Sequence, residues 1–406
     1  MTAALCALVC AAALEGTHLV TSLAITTQVD GRREPAQLQW VVRRDANERG
    51  VVPHDSGWMS YGATPWLNHH LAVVTEHGGR PSVRWMSSGL ELDGLFVEGE
   101  DVVVRWRGAL TRYVFRGWRL ERSPTPPEAS ETKARLAASF DTGLVHLAVV
   151  GDVMVGRATA RALDSVGAAA ALAAVGPVLR RADLRLGNLE SCFSGTTPRP
   201  GPLTLTAPLR RVDVLREAGF DVLSLANNHC DDADAAFSAR VLADAGIRGA
   251  TAAPVVLHTQ GSRLTVLGLS LWPTRPSLLD ARLAAVLEQA RAAGGPLVVL
   301  VHWGDEYASA PSPAQREAAA WLFDHGATLV LGAHPHVLQP IEQPTTASLV
   351  AYSLGNFLFD QEGYPTGAGG KTEETAVLEV RLHRTLGVTW RATPFRITGR
   401  ARLEPR

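Results

Sequence analysis

The sequence predicts an α/β protein in which a mainly parallel sheet flanked by helices follows a smaller β-rich domain. Three features carry this reading. From about residue 143 onward, short apolar runs alternate with helical stretches, the pattern of βαβ units. Ahead of residue 122, β-branched and alternating segments succeed one another between glycine-bearing turns, as in a small sandwich or barrel. Between the two lies a polar, proline-rich stretch, residues 123–132. The expected division is therefore a β-rich domain over residues 1–122, a linker over 123–140 and an α/β domain over 141–406.

A chain of 406 residues has the length for two domains and a sizeable core. Hydrophobic residues make up 46% and charged ones 19%, a globular composition. The net charge of -1 offers no electrostatic case for binding nucleic acid or an anionic membrane. Lys133 and Lys371 are the only lysines, so arginine carries the remaining positive charge. Cys6, Cys10, Cys192 and Cys230 show neither metal-ligand spacing nor a disulfide framework.

Residues 3–14 are apolar, with no Lys or Arg before them, and too short to span a bilayer as a helix. A leader core and a short buried helix both suit them, and no transmembrane segment is expected. Strands are expected at 21–27, 37–42, 83–86, 90–92 and 102–106. Trp58, Trp66, Trp85, Trp106 and Trp118 suit a β core better than a sugar-binding face. In the second part, helices are expected at 158–174, 209–218, 233–245, 278–293 and 313–325, and a closing β-hairpin around Gly387.

Five apolar runs of that second part end in polar side chains. Residues 145–150 run into Gly151-Asp152, 185–189 into Glu190, and 222–225 into Asn227-Asn228-His229. Residues 297–301 run into His302, and 327–331 into His334-Pro335-His336. Ligands of open α/β sheets bind beyond the carboxyl ends of the strands, so the five tips can converge on one site. Imidazole is the commonest neutral metal ligand, and a proline-stiffened His-x-His can aim two rings at one centre.

These segments also occur in the order of a known family. Residues 151–157 (Gly-Asp-Val-Met-Val-Gly-Arg), Asn188-Leu189-Glu190, residues 225–229 (Leu-Ala-Asn-Asn-His) and 302–307 (His-Trp-Gly-Asp-Glu-Tyr) come first. Residues 332–340 (Gly-Ala-His-Pro-His-Val-Leu-Gln-Pro) and 352–360 (Tyr-Ser-Leu-Gly-Asn-Phe-Leu-Phe-Asp) follow. Across roughly residues 143–400 the chain resembles the CapA family, bacterial capsule or poly-γ-glutamate synthesis proteins with a calcineurin-like metallophosphatase fold. The resemblance implies a sandwich of β-sheets flanked by helices and one or two divalent ions, Mn, Fe or Zn. Asp152 and His336 would serve one ion, Asn228, His302 and His334 the other, and Glu190 would bridge them. His229 would be the general acid, and Arg157 would grip an anionic group of the substrate.

One departure opens a second reading. A catalytic metallophosphatase usually has histidine two residues after its first aspartate, where this chain has Met154, and a thioether is a poor ligand for these metals. The pattern after the Asn-Asn-His motif, Cys230-Asp231-Asp232-Ala233-Asp234, also departs from the family's aspartate-aromatic-glycine turn. The resemblance implies either a metal-dependent hydrolase acting on an envelope polymer or a non-catalytic assembly factor that binds the polymer. In both cases the implied partner is an anionic envelope polymer or its synthase, and the implied location is the cell envelope.

Overall fold

The computed structural model describes residues 144–194, 204–232, 234–259, 262–366, 369–383 and 387–406. Nearer the N-terminus it describes 17–29, 32–44, 50–54, 57–61, 67–77, 80–86, 94–98, 101–106, 109–116 and 119–124. The apolar stretch 3–14, the expected strand at 90–92, Trp66, Trp118 and most of the proline-rich linker lie outside the described residues. The chain divides into two compact units, residues 1–48 with 63–144, and residues 49–62 with 145–406.

The first unit is built from antiparallel strands. One sheet has the order β1 (Thr17–Val29), β2 (Arg32–Arg44), β5 (Leu67–His77), β6 (Arg80–Met86). The other has the order β10 (Arg119–Arg122), β9 (Ala109–Arg116), β8 (Asp101–Trp106), β7 (Gly94–Glu98). Leu38 and Leu71 to Val74 are buried in the first sheet, and Val102 to Val104 in the second. The hairpin of β3 (Gly50–His54) and β4 (Gly57–Tyr61) falls in the second unit although it was expected in the first domain.

The second unit is a sandwich of two mixed sheets between layers of helix. The larger sheet runs β16 (Arg248–Ala250), β15 (Val222–Ser224), β12 (Leu184–Leu189), β11 (Leu144–Val153), β24 (Glu374–His383), β25 (Gly387–Thr398), β26 (Arg402–Pro405). β23 (Asn356–Leu358) joins it by pairing with β11, and β13 (Cys192–Phe193) pairs separately with β14 (Thr206–Ala207). The smaller sheet runs β17 (Val255–Thr259), β18 (Ser262–Ser270), β19 (Leu297–His302), β20 (Leu329–Ala333), β22 (Ser348–Ala351), β21 (Ile341–Thr345). The pairs β11–β12, β12–β15, β18–β19 and β19–β20 are parallel. The β24–β25 pair is the closing hairpin, turning at Gly387.

Strands covered on both faces read as continuous apolar runs, which is why 145–150 and 297–301 lack polar alternation. Their side chains nevertheless sort by parity. Val145, Leu147 and Val149 meet Val298, Leu300, Leu329 and Leu331 between the sheets. Ala148 and Val150 point instead to the helical layer of α1 (Arg157–Val166), α2 (Ala168–Ala171), α3 (Gly176–Leu179), α4 (Val212–Ala218) and α5 (Ala235–Asp244). Val299, Val301 and Val330 pack under α6 (Ala281–Ala292) and α7 (Pro313–Asp324). The single helix expected over 158–174 is broken at Gly167, whose φ of 80° ends α1 and starts α2 at a new angle.

Helix α7 begins as its sequence dictates. Ser312 at the N-cap and Gln315 in the first turn form a reciprocal capping box, with Pro313 as the first helical residue. Gln315 Nε2 also donates to Gln339 Oε1 (3.1 Å), and Gln339 Nε2 to the Ala308 carbonyl (2.7 Å). The helix start therefore anchors the two loops that carry His302 and His336. On the other side, Gly151 crosses Gly355 so closely that a Cβ at 151 would overlap the Gly355 carbonyl oxygen. That approach lets Asp152 N–H donate to Gly355 O at 2.9 Å.

A second buried polar group holds the large sheet. Glu379 accepts from Arg391 Nε (2.6 Å) and Arg181 Nη2 (3.1 Å), and stands 3.4 Å from His146 Nε2. Burial alone would raise its pKa, but the His146 and Arg391 contacts and the charge of Arg181 bring it down to about 2. A carboxylate held below its ordinary value of 4.5 contributes stability that is complete above that value and is lost as pH falls through about 2. Acid unfolding should therefore steepen in that window, and Glu379→Gln should flatten it in a melting series. Glu379→Ala should cost about 1–3 kcal/mol, because the part-buried Arg391 and Arg181 and the buried His146 lose their shared partner. Gly151→Ala should cost about 1–3 kcal/mol by overpacking, read from denaturant midpoints.

Candidate metal centre

Asp152, Glu190, Asn228, His302, His334 and His336 come together where parallel strands of both sheets end, the location expected for a ligand in such sheets. β11 delivers Asp152, the turn after β12 Glu190, the loop after β15 Asn228, the end of β19 His302, and the turn after β20 both histidines. All but Asn228 are buried, and Asn228 is intermediate. Donor atoms of Glu190, His334 and His336 lie within 4.8 Å of one another. His302 Nε2 is 3.9 Å from Glu190 Oε1 and 2.7 Å from Asn228 Oδ1. His336 Nδ1 is 3.4 Å from Asp152 Oδ2 and 3.8 Å from Glu190 Oε2.

Burial and mutual charge shift these groups in different directions. Burial pushes Glu190 well above the carboxylate range, reinforced by the charge of Asp152. It pulls His334 down to about 3 and His302 well below the usual value, each helped by a neighbouring histidine. His336 moves the other way: burial opposes protonation, but the Glu190 and Asp152 carboxylates lift it to about 9. Burial would also raise Asp152, yet the His336 hydrogen bond and nearby histidine charge keep it low.

Both oxygens of Glu190 and both ring nitrogens of His334 are buried without a hydrogen-bond partner among the described residues. Such groups are normally satisfied, since leaving them bare costs on the order of 1–3 kcal/mol each. Two carboxylates, three imidazoles and an amide oxygen suit Mn, Fe or Zn, so the residues fit a divalent ion. The backbone is bent to present them: His334 has φ 99° and His336 φ 60°, while Tyr307 (65°) and Arg157 (45°) nearby are also left-handed. Non-glycine residues persist there, at about 1–3 kcal/mol each, only where surrounding contacts impose the shape. Here His334 N–H donates to Asp152 Oδ2 (3.1 Å) and Tyr307 N–H to the Pro335 carbonyl (2.8 Å).

Met154, where a further histidine would stand, is fully buried with Leu205 and Phe359, and its Sδ accepts from Gly156 N–H at 3.1 Å. The bidentate edge of Arg157 is occupied by Asp360, which also accepts from Ala158 N–H (3.1 Å). A substrate contact by Arg157 is thus confined to its remaining nitrogen. His229, partly exposed, has Nδ1 2.7 Å from Asp232 Oδ2.

Sequence reasoning passed over several residues that shape the site. Asn188 Nδ2 donates to Asp152 Oδ1 (2.8 Å), and Asn227 Nδ2 donates to Asn188 Oδ1 (3.2 Å). Asn356 Oδ1 lies 2.9 Å from His336 Nδ1 and orients that ring. Asp232 orients His229. Asn188, Asn227 and Asn356 lie inside the quoted motifs, and Asp232 in the acidic run after the Asn-Asn-His motif, but no local pattern says which side chain faces inward.

The bacterial capsule synthesis protein PGA_cap family matches residues 146–361. The chain is 27% identical over 302 residues to the PGA biosynthesis protein CapA of Bacillus subtilis strain 168, covering 68% of this chain and 75% of that protein. It is 30% identical over 267 residues to the capsule biosynthesis protein CapA of Bacillus anthracis, covering 58% and 63%. Among solved structures it is similar to a hypothetical protein of Thermus thermophilus (TM-score 0.39, 16% identity, 61% of this chain and 99% of that one). A Mycoplasma pneumoniae protein described as a novel phosphatase gives TM-score 0.38 and 14% identity over 62% of this chain and 93% of that one. The matched span of the PGA_cap family runs through every strand tip of the cluster, from Asp152 to His336, and the chain belongs to this bacterial capsule synthesis family.

Proposed function

We propose that this chain is a metal-dependent hydrolase, phosphoesterase-like in its chemistry, that cleaves a phosphoester, ester or amide bond of a capsule or poly-γ-glutamate-like polymer at the cell envelope. One observation carries the reading: bare, buried donor atoms of Glu190 and His334 converge with His336 beside Asp152 and His302. A divalent ion bound there supplies Lewis-acid polarisation of a phosphoryl or carbonyl oxygen. Asp152, Glu190 and His336 would hold one ion, and Asn228, His302 and His334 would hold a second beside the same Glu190. His229 stands at the exposed side of the cluster, with Asp232 on Nδ1, so Nε2 is free to give a proton to the leaving group. Asp232 would orient the ring by accepting from Nδ1–H, and the proton transferred would be the one on Nε2 of the imidazolium. Arg157, steadied by Asp360, would place an anionic group of the substrate.

A second reading rests on Met154. Its thioether fills an apolar pocket where a ligand would complete the first ion's shell, which suits a polymer-binding assembly factor with one weakly held ion. The names of the Bacillus relatives, biosynthesis proteins for PGA and capsule, accord with either role.

Elemental analysis of protein purified without chelator should find Mn, Fe or Zn near or above one ion per chain. A metal-free, folded wild type would sink both readings of the cluster. His334→Ala should lose metal, since too few donors remain. His229→Ala should keep metal and melting temperature while hydrolysis of bis(p-nitrophenyl) phosphate falls on the order of 10²–10⁴-fold. Activity equal to wild type in His229→Ala would remove the general acid and favour the assembly factor.

A further inference from the structure

The ion assigned to Asp152, Glu190 and His336 has three side-chain donors, and the strand beside Asp152 brings a fourth polar side chain to the same place. Asn356 opens β23, where it is paired in register with Asp152 on the parallel strand β11. Gly355, just before it, is left-handed (φ 68°), and its carbonyl takes the Asp152 N–H at 2.9 Å, which fixes where β23 starts against β11. Asn356 is fully buried, and a buried amide is expected to have its polar atoms engaged.

Its partners settle which way that amide faces. Asn356 Nδ2 donates to Gln361 Oε1 (3.1 Å) and to the Thr372 carbonyl (3.1 Å). A backbone carbonyl only accepts, so the nitrogen is turned outward, both its donors are spent, and Oδ1 faces the cluster. Gln361 is itself held in place: Nε2 donates to Tyr307 Oη (3.2 Å), and its carbonyl accepts from Thr372 Oγ1. Asn356 Oδ1 lies 2.9 Å from His336 Nδ1. The same nitrogen stands 3.4 Å from Asp152 Oδ2 and 3.8 Å from Glu190 Oε2.

One imidazole nitrogen ringed by three oxygens suits a shared cation. A proton on Nδ1 serves one of these oxygens well, whereas an ion placed among the four atoms serves all of them. Metal–donor bonds of about 2.0–2.2 Å put neighbouring donors about 2.8–3.6 Å apart. The Asn356 and Asp152 distances fall in that range, and the Glu190 distance lies just beyond it. An arriving ion releases the proton and takes its place. Resting on the metal-centre reading above, we propose that Asn356 Oδ1 is a fourth side-chain donor to the ion held by Asp152, Glu190 and His336. Two carboxylates and an amide oxygen make this position oxygen-rich, which suits Mn, while His302 and His334 make the second richer in nitrogen. The first ion then has four protein donors without any contribution from Met154.

The test uses the full chain, stripped with chelator and reloaded with Mn²⁺, and reads binding rather than turnover. In a crystal of the loaded wild type, the anomalous signal of manganese should place an ion about 2.2 Å from Asn356 Oδ1 and bound also by Asp152 and Glu190. In isothermal titration, Asn356→Ala should weaken one Mn²⁺ site more than about a hundredfold, since losing an outer partner of a ligand costs about 10–100-fold. Asn356→Asp, which keeps an oxygen at that position, should retain the site, and both variants should melt near the wild type when stripped. An ion on Asp152 and Glu190 with Asn356 Oδ1 more than about 3 Å away overturns the proposal. So does an Asn356→Ala variant that binds Mn²⁺ as the wild type does. Should Asn356→Ala fail to fold, the wild-type crystal decides alone. A wild type that takes up no ion at all removes the metal reading of the whole cluster, whereas an ion bound without Asn356 removes this assignment alone.

Discussion

One buried carboxylate joins the two sheets of the second unit at their carboxyl ends. Asp152 grows out of β11 in the larger sheet, receives Asn188 from β12 on one oxygen, and receives the His334 backbone N–H from the smaller sheet on the other. Its own N–H is spent on Gly355, so it is held from several sides with no exposed surface. A carboxylate so placed must keep donors around it, because an unpaired buried charge is among the costliest things a fold can contain. The left-handed backbone at His334 follows from that demand, since its N–H reaches Asp152 in that conformation.

From this fixed point the character of the centre follows. Two carboxylates and three imidazoles cannot all be buried in their solution states, so burial drives Glu190 toward its neutral form and His334 and His302 toward theirs. A divalent cation would reverse the bias on Glu190 and use the neutral imidazoles that burial already favours at His302 and His334, exchanging bare polar groups for a coordinated set. The same logic explains the contrast with Glu379. That carboxylate is also buried, but Arg391, Arg181 and His146 satisfy it fully, and it serves the sheet rather than a ligand.

The apolar chemistry around the centre is as selective as the polar chemistry within it. Met154, two residues after Asp152, packs on Leu205 and Phe359. Phe359 also borders His336 and lies under the Arg157 guanidinium, so an apolar wall and a paired cation share one side of the donors. Trp272 and Tyr364 carry the aromatic surface outward from there to solvent.

Sequence by itself determined the parts that depend on near neighbours in the chain. Apolar runs ending in Asp152, Glu190, Asn228, His302 and His334 marked the strands and the tips at which a ligand can bind, because runs covered on both faces are mostly apolar and ligands of such sheets bind beyond their ends. Ser312-Pro313 and Gln315 marked the start of α7 for an equally local reason, the unpaired N–H groups of a first turn. Tertiary structure decided what depends on separations of tens to hundreds of residues. Arg157 meets Asp360 across 203 positions, and no spacing rule could have foretold that its bidentate edge was taken. The pairing of Asp232 with His229 is short-range in sequence, yet Asp232 is also held by Leu205 N–H from 27 positions away. Trp272 and Tyr364 lie in loops with no periodicity to read, and only the folded chain brings their rings beside those of His334 and Tyr307.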